Sequence, residues 1–456
     1  MIKLSKIYKH VFFAAVFLSS LLFSINSKAE LSLLIDNQEV AKTKILFLGF
    51  ESRDPSLNQD IKKIFQQIRS NLNSTNLFEL VKQDAKFSAQ DDSEIISTEI
   101  TNNSEIIPDF EKYNRIGVGA VLIADFGYDP IGNIEVKVRF WDILDEKQLF
   151  GKFYSASSDI NNKVANIISD EIFMSLTNEN SGHFNSKIIY VSETGSAKRR
   201  IKKIAMMDFD GKNHQYLTSG HDLVLTPTFT KNANEIYYLR YFDGKSQIFS
   251  LDLSSLRSKK VGGFRGTTFG ASVHPKNPNI VLLSAIINDN SDIYELDIEN
   301  NVAKRLTKNS AIDVTASYSP DGESIAFASD RSYGQQIYVM DKNGFSVSRV
   351  SFGGGSYSSP KWSPDGKLLA FTKILHGKFH IGVMLPSGKG EKILTSAYMA
   401  EGARWSPNGR YLIYSKKDAN FGNASIPRLY AIDVITGFEL KINTPDGVGA
   451  SDPDWQ

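Results

Sequence analysis

The chain has 456 residues, nearly balanced charges (52 Lys and Arg against 51 Asp and Glu, net +1) and no cysteine. This length allows two or three domains. The charge balance gives no reason to expect nucleic acid as a partner, and the lack of cysteine excludes disulfides, thiolate metal sites and a lipid-bearing cysteine.

The first 29 residues have the three parts of an export signal. Three lysines precede an apolar run over residues 11–25, and Ser27 and Ala29 place small residues at the −3 and −1 positions. The run is shorter than the roughly 20 apolar residues that span a bilayer. We therefore expect residues 1–29 to be a Sec-type signal peptide, cleaved after Ala29, and the mature protein to be periplasmic without membrane insertion.

Residues 30–180 are predicted to form an α/β domain. Residues 44–50 form a continuous apolar run that is typical of a buried strand, and apolar residues between Ile61 and Leu72 recur at helical spacing. Further strands are predicted at residues 76–81, 120–126, 134–141 and 149–155, a polar loop at 84–104, and a last helix over 160–176. The polar segment 177–186, which contains Gly182, marks the boundary to a second domain at 181–456.

The second half of the chain repeats one unit. Residues 317–327, 359–371 and 403–414 each place a Ser-Pro-Asp/Asn-Gly turn between aromatic and β-branched residues, which predicts a hairpin. Weaker copies occupy residues 229–233 and 273–277. The aligned turn positions, separated by steps of 43 to 45 residues, are Lys231, Pro275, Pro320, Pro364 and Pro407. A period of this length made of strands is typical of a β-propeller with one four-stranded blade per repeat.

The repeats predict six blades. Their second strands centre on Ile188, Ile236, Ile280, Ile325, Leu369 and Leu412. The first unit lacks an inner strand, and residues 451–456 match residues 358–363, so we expect the C-terminal strand to complete blade one and to remove two sheet edges. Trp362, Trp405 and Trp455 share one repeat position, which favours a packing role. The predicted fold class is an α/β N-terminal domain followed by an all-β six-bladed propeller closed by the C-terminal strand.

We find no catalytic or metal-binding pattern in the sequence. His376 and His380 have ligand-like spacing but flank Gly377 in a predicted exposed loop, without a third ligand. Residues 353–358 lack the final glycine of a nucleophile elbow, and residues 117–119 precede a strand instead of opening a helix. Four aspartates at one repeat position predict Asx turns: Asp252, Asp297, Asp341 and Asp433. We expect no enzyme activity, no cofactor and no metal.

The repeat motif resembles that of TolB-type propellers, and the whole arrangement resembles the TolB family, the periplasmic components of the Tol–Pal system. The resemblance covers nearly the entire chain, and residues 169–177 are similar to the helix that closes the family's first domain. Blades two and three depart from the motif at Lys231 and His274. The resemblance implies a monomeric scaffold that links inner-membrane Tol proteins to the lipoprotein Pal and supports outer-membrane integrity and invagination at division.

One candidate partner surface lies at the mature N-terminus, where Leu31, Leu33 and Ile35 alternate with polar residues. Such a strand can add to the sheet edge of another protein, and the resemblance implies TolA as that partner. The strand could equally pair with the sheet of its own domain, and both alternatives stay open.

The second candidate surface is the rim where the inner strands begin. Its loops vary between repeats while the Ser-Pro-Asp-Gly turns do not, and variable loops on a fixed scaffold usually carry binding specificity. The candidate residues are Asp222, Thr267, Gly270, Asp313, Val314, Tyr357 and Glu401. The resemblance implies Pal as the partner here, with other envelope proteins as further candidates. The competing interpretations are a propeller attached to a hydrolase and a small-molecule sensor that uses the tunnel.

Overall fold

The computed structural model describes residues 41–50, 55–81, 107–157, 161–196, 199–232, 234–242, 244–261, 266–417 and 426–456. The predicted signal peptide, the N-terminal candidates Leu31, Leu33 and Ile35, and the predicted loop 84–104 lie outside these residues.

A mixed sheet forms the N-terminal region. Its strands are β1 (Thr43–Leu48), β2 (Phe78–Val81), β3 (Ala120–Tyr128), β4 (Ile134–Asp142) and β5 (Lys147–Ala156). Their order is β2-β1-β3-β4-β5, with β1 parallel to β2 and β3, and β3 to β5 forming an antiparallel meander. The predicted strands are all present, with bounds shifted by a few residues.

Helices cover both faces of this sheet. They are α1 (Pro55–Ser74), α2 (Phe110–Arg115) and α3 (Asn161–Thr177). The apolar stripe of α1 and that of α3 pack together in the main core, and Phe110 of α2 packs against a smaller cluster on the opposite face. Helix α2 was not predicted, because six residues are too few to show a period. Its start is fixed by Asp109, whose Oδ1 accepts a hydrogen bond from the Lys112 backbone N–H at 2.9 Å.

The rest of the chain forms six four-stranded sheets, as predicted. Blade one contains β6 (Lys187–Thr194), β7 (Ile201–Asp208) and β8 (Gln215–Tyr216). Blade two contains β9 (Val224–Phe229), β10 (Glu235–Phe242), β11 (Lys245–Asp252) and β12 (Ser258–Lys260), and blade three β13 (Thr267–Val273), β14 (Ile280–Ile287), β15 (Asn290–Asp297) and β16 (Val302–Arg305). Blade four contains β17 (Asp313–Tyr318), β18 (Ser324–Ser329), β19 (Gln336–Asp341) and β20 (Ser348–Arg349). Blade five contains β21 (Ser356–Trp362), β22 (Leu369–Leu375), β23 (Lys378–Met384) and β24 (Lys392–Ala397), and blade six β25 (Met399–Trp405), β26 (Tyr411–Lys417), β27 (Arg428–Asp433) and β28 (Glu439–Lys441).

The last strand, β29 (Gly449–Trp455), completes blade one by pairing antiparallel with β6. Lys187 and Gln456 exchange two backbone hydrogen bonds, at 2.7 and 3.0 Å. The Trp455 side chain is buried, stacks on Phe209 with ring centroids 5.2 Å apart, and donates from Nε1 to Ser186 Oγ at 2.6 Å. The predicted closure is therefore confirmed.

Each inner strand contains a β-bulge at the same repeat position. The residue there has a φ between 43 and 72°, in the left-handed region; these residues are Thr226, Gly270, Thr315, Ser359, Gly402 and Asp452. Non-glycine residues seldom adopt this conformation. Because a bulge bends its strand and changes the direction of the side chains that follow, the six bulges together shape the wall of the tunnel.

The segment between α3 and β6 packs tightly against the chain on both sides. Its His183 and Phe184 are buried in a core cluster shared by the N-terminal helices and blades one and six. The Asp170 carboxylate accepts backbone hydrogen bonds from His183, Phe184 and Asn185 at 2.7, 2.8 and 3.1 Å. A Cβ atom added at Gly182 would meet Asp170 Oδ1 at 2.0 Å, so the glycine is required for this close approach.

Candidate protein-binding face

All six inner strands begin at one face of the propeller. The register places the start of an inner strand opposite the end of the second strand, as Thr267 lies opposite Ile286 and Ser356 opposite Ile374. The loops that lead into the inner strands and the turns between second and third strands therefore share this face, which we call the loop rim. The Ser-Pro-Asp-Gly turns lie on the other face, which we call the turn face.

The described N-terminal region packs on the turn face. Asn408, in the turn of blade six, lies 3.4 Å from His183 Nδ1, and Arg410 forms an ion pair with Glu179 at 3.4 Å. Gln67 of α1 donates to Asp210, in the turn between β7 and β8, at 2.9 Å. These contacts leave the loop rim open in the part of the chain that the structure describes.

Five of the predicted rim residues lie where a partner can reach them. Asp222 is partly exposed and pairs with Arg240 at 2.8 Å, and Thr267 and Val314 are half-buried. Gly270 is the bulge residue of β13, with open space where a Cβ would stand. Glu401 is exposed as a whole residue. Partial burial of its carboxyl group, and then the nearby Asp452 carboxylate, raise the pKa of Glu401.

The other two predicted residues, Asp313 and Tyr357, are fully buried and do not present their side chains to a partner. Asp313 accepts two hydrogen bonds from Arg331 Nη2, both 2.9 Å long, and the Tyr357 hydroxyl donates to Glu391 Oε2 at 2.7 Å. Both residues lie two positions before the bulge residue of their inner strand, and the preceding loop is what a partner can reach. Sequence alone did not show which of the alternating positions faces inward.

Large apolar side chains are exposed all around the loop rim. They are Ile201, Leu223, Tyr241, Phe269, Ile286, Ile312, Tyr333, Phe352, Ile374, Tyr398 and Ile426. A shorter set lies on the turn face: Leu256, Val302, Phe345, Val347 and Ile435. The loop rim also has a polar pocket of about 390 Å³ lined by Asn309, Ser310, Ala311, Asp330 and Arg331. Exposed apolar groups surrounded by polar residues are typical of protein-binding surfaces.

One set of equivalent side chains inside the propeller was not predicted from the sequence. The residue just before the last one of each inner strand holds the same repeat position in all six blades, and Asp454 contacts the equivalent residues of both neighbouring blades, at 2.9 Å to Thr228 Oγ1 and 3.5 Å to Arg404 Nε. The six residues at this position are Thr228, Ser272, Ser317, Lys361, Arg404 and Asp454. The signal that could have found them was the repeat alignment itself, because each precedes the aromatic or β-branched residue that aligns with Trp455. Three of the six are charged.

The other sequence candidates are structural. In the four repeated aspartates, a carboxylate oxygen accepts backbone N–H bonds from the following turn, as in Asp252 with Ser254 and Ser255, so the Asx turns are confirmed. His380 lies within β23 and contacts Ser396 Oγ at 2.6 Å, so only His376 is in the turn. Among the described residues, no cluster of His, Asp and Glu could hold a metal ion, and no helix is long and apolar enough to cross a membrane.

Comparison with known proteins agrees with the repeats and the fold. Residues 173–456 match the family described as the TolB beta propeller domain. The chain is 36% identical over 353 residues to the Tol-Pal system protein TolB of Gluconobacter oxydans (strain 621H), covering 76% of each chain. It is 35% identical over 447 residues to the protein of the same name from Rickettsia bellii (strain OSU 85-389), covering 95% of this chain and 97% of the relative.

A solved structure has the same fold. The crystal structure of TolB from Acinetobacter baumannii superimposes with a TM-score of 0.76 over 91% of this chain and 96% of that chain, at 23% identity. The propeller motif, the closing strand and the two full-length sequence matches lead to one assignment. The chain belongs to the TolB family of Tol–Pal system proteins.

Proposed function

We propose that this chain is a periplasmic protein–protein interaction scaffold that links the inner-membrane Tol proteins to the outer-membrane lipoprotein Pal. In this role it supports outer-membrane integrity and invagination during cell division. Membership of the TolB family supports a role in the Tol–Pal system. The proposed partners, Pal and the inner-membrane Tol proteins, follow from the resemblance to that family. The observation that carries the proposal is the exposed apolar loop rim on the face opposite the packed N-terminal region.

Pal is assigned to the loop rim. Phe269 and the other large apolar side chains of the rim are exposed to solvent. Their burial against a partner removes apolar surface from water, which favours binding. Around them, Asp222, Thr267, Gly270, Val314 and Glu401 form the polar and backbone contacts. The buried side chains of Asp313 and Tyr357 do not contact Pal in this proposal. They position Arg331 and Glu391 through hydrogen bonds.

A titration with purified Pal tests this assignment. Phe269→Ser is expected to weaken Pal binding at least tenfold, roughly 1.4 kcal/mol, because it truncates an exposed anchor. Phe345→Ser is the matched control, since Phe345 is also an exposed phenylalanine but lies on the turn face. Equal affinities for both variants, together with unchanged binding after substitution of Thr267 and Val314, would refute the rim as the Pal site.

The N-terminal segment is proposed to bind TolA through Leu31, Leu33 and Ile35 after cleavage of the signal peptide at Ala29. Edman sequencing of the exported protein should start at Glu30. A pull-down from envelope extract with the mature chain and with residues 30–41 deleted separates the two surfaces. We expect the deletion to lose TolA and to keep Pal, and loss of both would contradict independent sites. We also propose residues 30–180 and 181–456 as the two domains of the mature protein.

The proposal describes a binding protein and not an enzyme. Fluorogenic esterase and peptidase substrates test the hydrolase alternative, and turnover by the purified chain that scales with its concentration would overturn the proposal. A metabolite panel read by thermal shift tests the sensor alternative in the same way.

A further inference from the structure

A polar pocket opens on the loop rim where the chain passes from blade three to blade four. Its volume is about 390 Å³, and it is lined by Asn309, Ser310 and Ala311 from the loop before β17 and by Asp330 and Arg331 from the turn after β18. Small-molecule sites commonly have volumes of about 300–1,000 Å³, so the pocket has room for a small ligand. Of the lining residues only Ala311 is apolar, so a large apolar group of a partner protein gains little by entering.

Contacts to one short segment fix the two charged side chains at this pocket. Asp330 Oδ1 accepts a hydrogen bond from the Ile312 backbone N–H at 2.8 Å. Arg331 Nη2 lies 2.9 Å from both carboxylate oxygens of Asp313, and Asp313 also accepts from Asn309 Nδ2 at 3.0 Å. Because Ile312 and Asp313 are consecutive, the Asp330 carboxylate and the Arg331 guanidinium are held close together.

The guanidinium group of Arg331 is also held in its orientation. Its Nε donates to Ser329 Oγ at 2.9 Å, and its central carbon lies 5.2 and 4.9 Å from the ring centroids of Phe327 and Tyr338. A binding group that is already fixed in the free protein loses less conformational entropy when a ligand binds. The pocket is therefore preorganised on its Arg331 side.

Each of the two charged side chains keeps one group available to a ligand. Among the described residues, Asp330 Oδ2 and Arg331 Nη1 have no hydrogen-bond partner, and neither does the Ser310 hydroxyl. Arg331 Nη1 remains available because Asp313 uses only Nη2. The pocket thus offers a negatively charged acceptor and a positively charged donor to the same ligand.

We propose that this pocket binds a free α-amino acid, with the ligand's ammonium group at Asp330 and its carboxylate at Arg331. Hydrogen bonds between charged groups are roughly twice as strong as neutral ones, and a guanidinium matches the geometry of a carboxylate. A free α-amino acid carries both charged groups on one carbon atom, whereas the backbone of an internal polypeptide segment carries only neutral amides. This chemistry favours the small molecule over a segment of a partner protein.

The inference goes beyond the proposed scaffold function, because it needs no partner protein. It holds whether or not Pal binds the loop rim. A titration that contains no Pal therefore tests the pocket separately from the rim as a Pal site.

The test is isothermal titration of the mature protein, at constant ionic strength, with probes that differ in charge. L-Alanine and L-glutamine carry both charged groups, ethylamine carries only the ammonium, and propionate carries only the carboxylate. N-Acetylglutamine amide is uncharged and represents a polypeptide segment. We expect at least one of the two amino acids to bind at least tenfold more tightly than each of the other three probes. Failure of both amino acids to bind at millimolar concentration, or equally tight binding of ethylamine, propionate or the capped amide, would overturn the proposal.

Two variants connect the binding to the pocket. Asp330→Asn keeps an oxygen that can accept from Ile312 but removes the negative charge. Arg331→Lys keeps a positive charge beside Asp313 but removes the second nitrogen of the fork. Each variant is expected to weaken binding of the amino acid at least tenfold while the protein still melts cooperatively.

Asp365→Asn is the matched control. Asp365 is also exposed and accepts a backbone N–H, from Lys367 at 3.1 Å, but it lies on the turn face. We expect this variant to bind the amino acid as the wild-type chain does. Unchanged affinity of Asp330→Asn would show that the ligand binds elsewhere and would contradict the proposal.

Discussion

At the scale of single residues, His183 is an ionisable group that is almost completely buried. It is buried among the rings of Phe173, Phe184 and Tyr411, with centroids 4.9, 4.1 and 4.6 Å away. Burial, with a smaller contribution from Arg410, lowers the pKa of His183 to about 3. The imidazole is therefore neutral in the folded protein, and it becomes protonated more readily in the unfolded chain, where its pKa is about 6.5.

This difference predicts acid sensitivity. Between pH 6.5 and about 3 the unfolded chain binds one more proton at this site, so folding stability falls as the pH falls, by up to about 1.4 kcal/mol per pH unit. His183→Gln removes this contribution, and urea unfolding at several pH values should show a flatter acid limb. His376→Gln, in an exposed turn, is the control.

Asp170 titrates in the same window with the opposite sign, because burial raises its pKa to about 6 despite three backbone hydrogen bonds. Its contribution is present in both wild type and His183→Gln, so it cancels in their difference. Parallel acid limbs for these two proteins would show that His183 is not the neutral buried group described here.

At the scale of elements, three inner strands end in a tryptophan at the same repeat position, and these tryptophan side chains are buried to different extents. Trp362, Trp405 and Trp455 each end an inner strand. Trp405 donates from Nε1 to the Lys361 carbonyl at 2.9 Å, and Trp455 donates to Ser186. Trp362 is only half-buried, and its Nε1 has no hydrogen-bond partner among the described residues. Trp455 also belongs to the strand that completes blade one, so the three tryptophans are expected to contribute unequally to the stability of the propeller.

We therefore expect unequal losses of stability. Trp455→Ala should reduce the free energy of unfolding by about 3–5 kcal/mol, because it empties a buried aromatic site. Trp362→Ala should cost less, about 2 kcal/mol, at the same repeat position. Trp455→Phe, which removes the indole hydrogen bond and keeps the ring contacts, should cost about 1 kcal/mol. Urea denaturation measures all three, and equal losses for Trp455→Ala and Trp362→Ala would be inconsistent with the closing role of Trp455.

At the scale of the molecule, a buried polar network joins the N-terminal helices to the propeller. Gln67 Nε2, which has two N–H donors, lies 2.9, 3.2 and 2.9 Å from the acceptors Asn71 Oδ1, Asn166 Oδ1 and Asp210 Oδ2, and Gln67 Oε1 accepts from Lys212. Asp210 and Lys212 belong to blade one, and the other groups belong to α1 and α3. The network thus links parts of the chain that are far apart in sequence.

Gln67→Ala should destabilise the protein by about 1–3 kcal/mol, because it leaves buried polar groups without partners. Gln66→Ala changes the adjacent residue, which is exposed, and should alter stability by less than about 0.5 kcal/mol. Differential scanning calorimetry compares the two. A lower melting temperature for Gln66→Ala than for Gln67→Ala would contradict the network as a link between the two parts.

The sequence by itself determined the blade count, the strand order within blades and the closure by the C-terminal strand. Turn chemistry and side-chain alternation are local properties, so each repeat carries them in its own residues. The sequence also determined the main helices and strands described for the N-terminal region, whereas the helix α2 was not predicted because it is too short to show a period.

Tertiary structure decided which inner-strand side chains are accessible and which charges meet. The bulges at Gly270 and its equivalents redirect the strands, so the burial of Asp313 and Tyr357 could not be predicted from alternation alone. Asp454 lies 3.5 Å from Arg404 Nε and meets Thr228 across 226 residues of sequence only because the C-terminal strand completes blade one. Such contacts depend on the arrangement of all six blades, which no single repeat encodes.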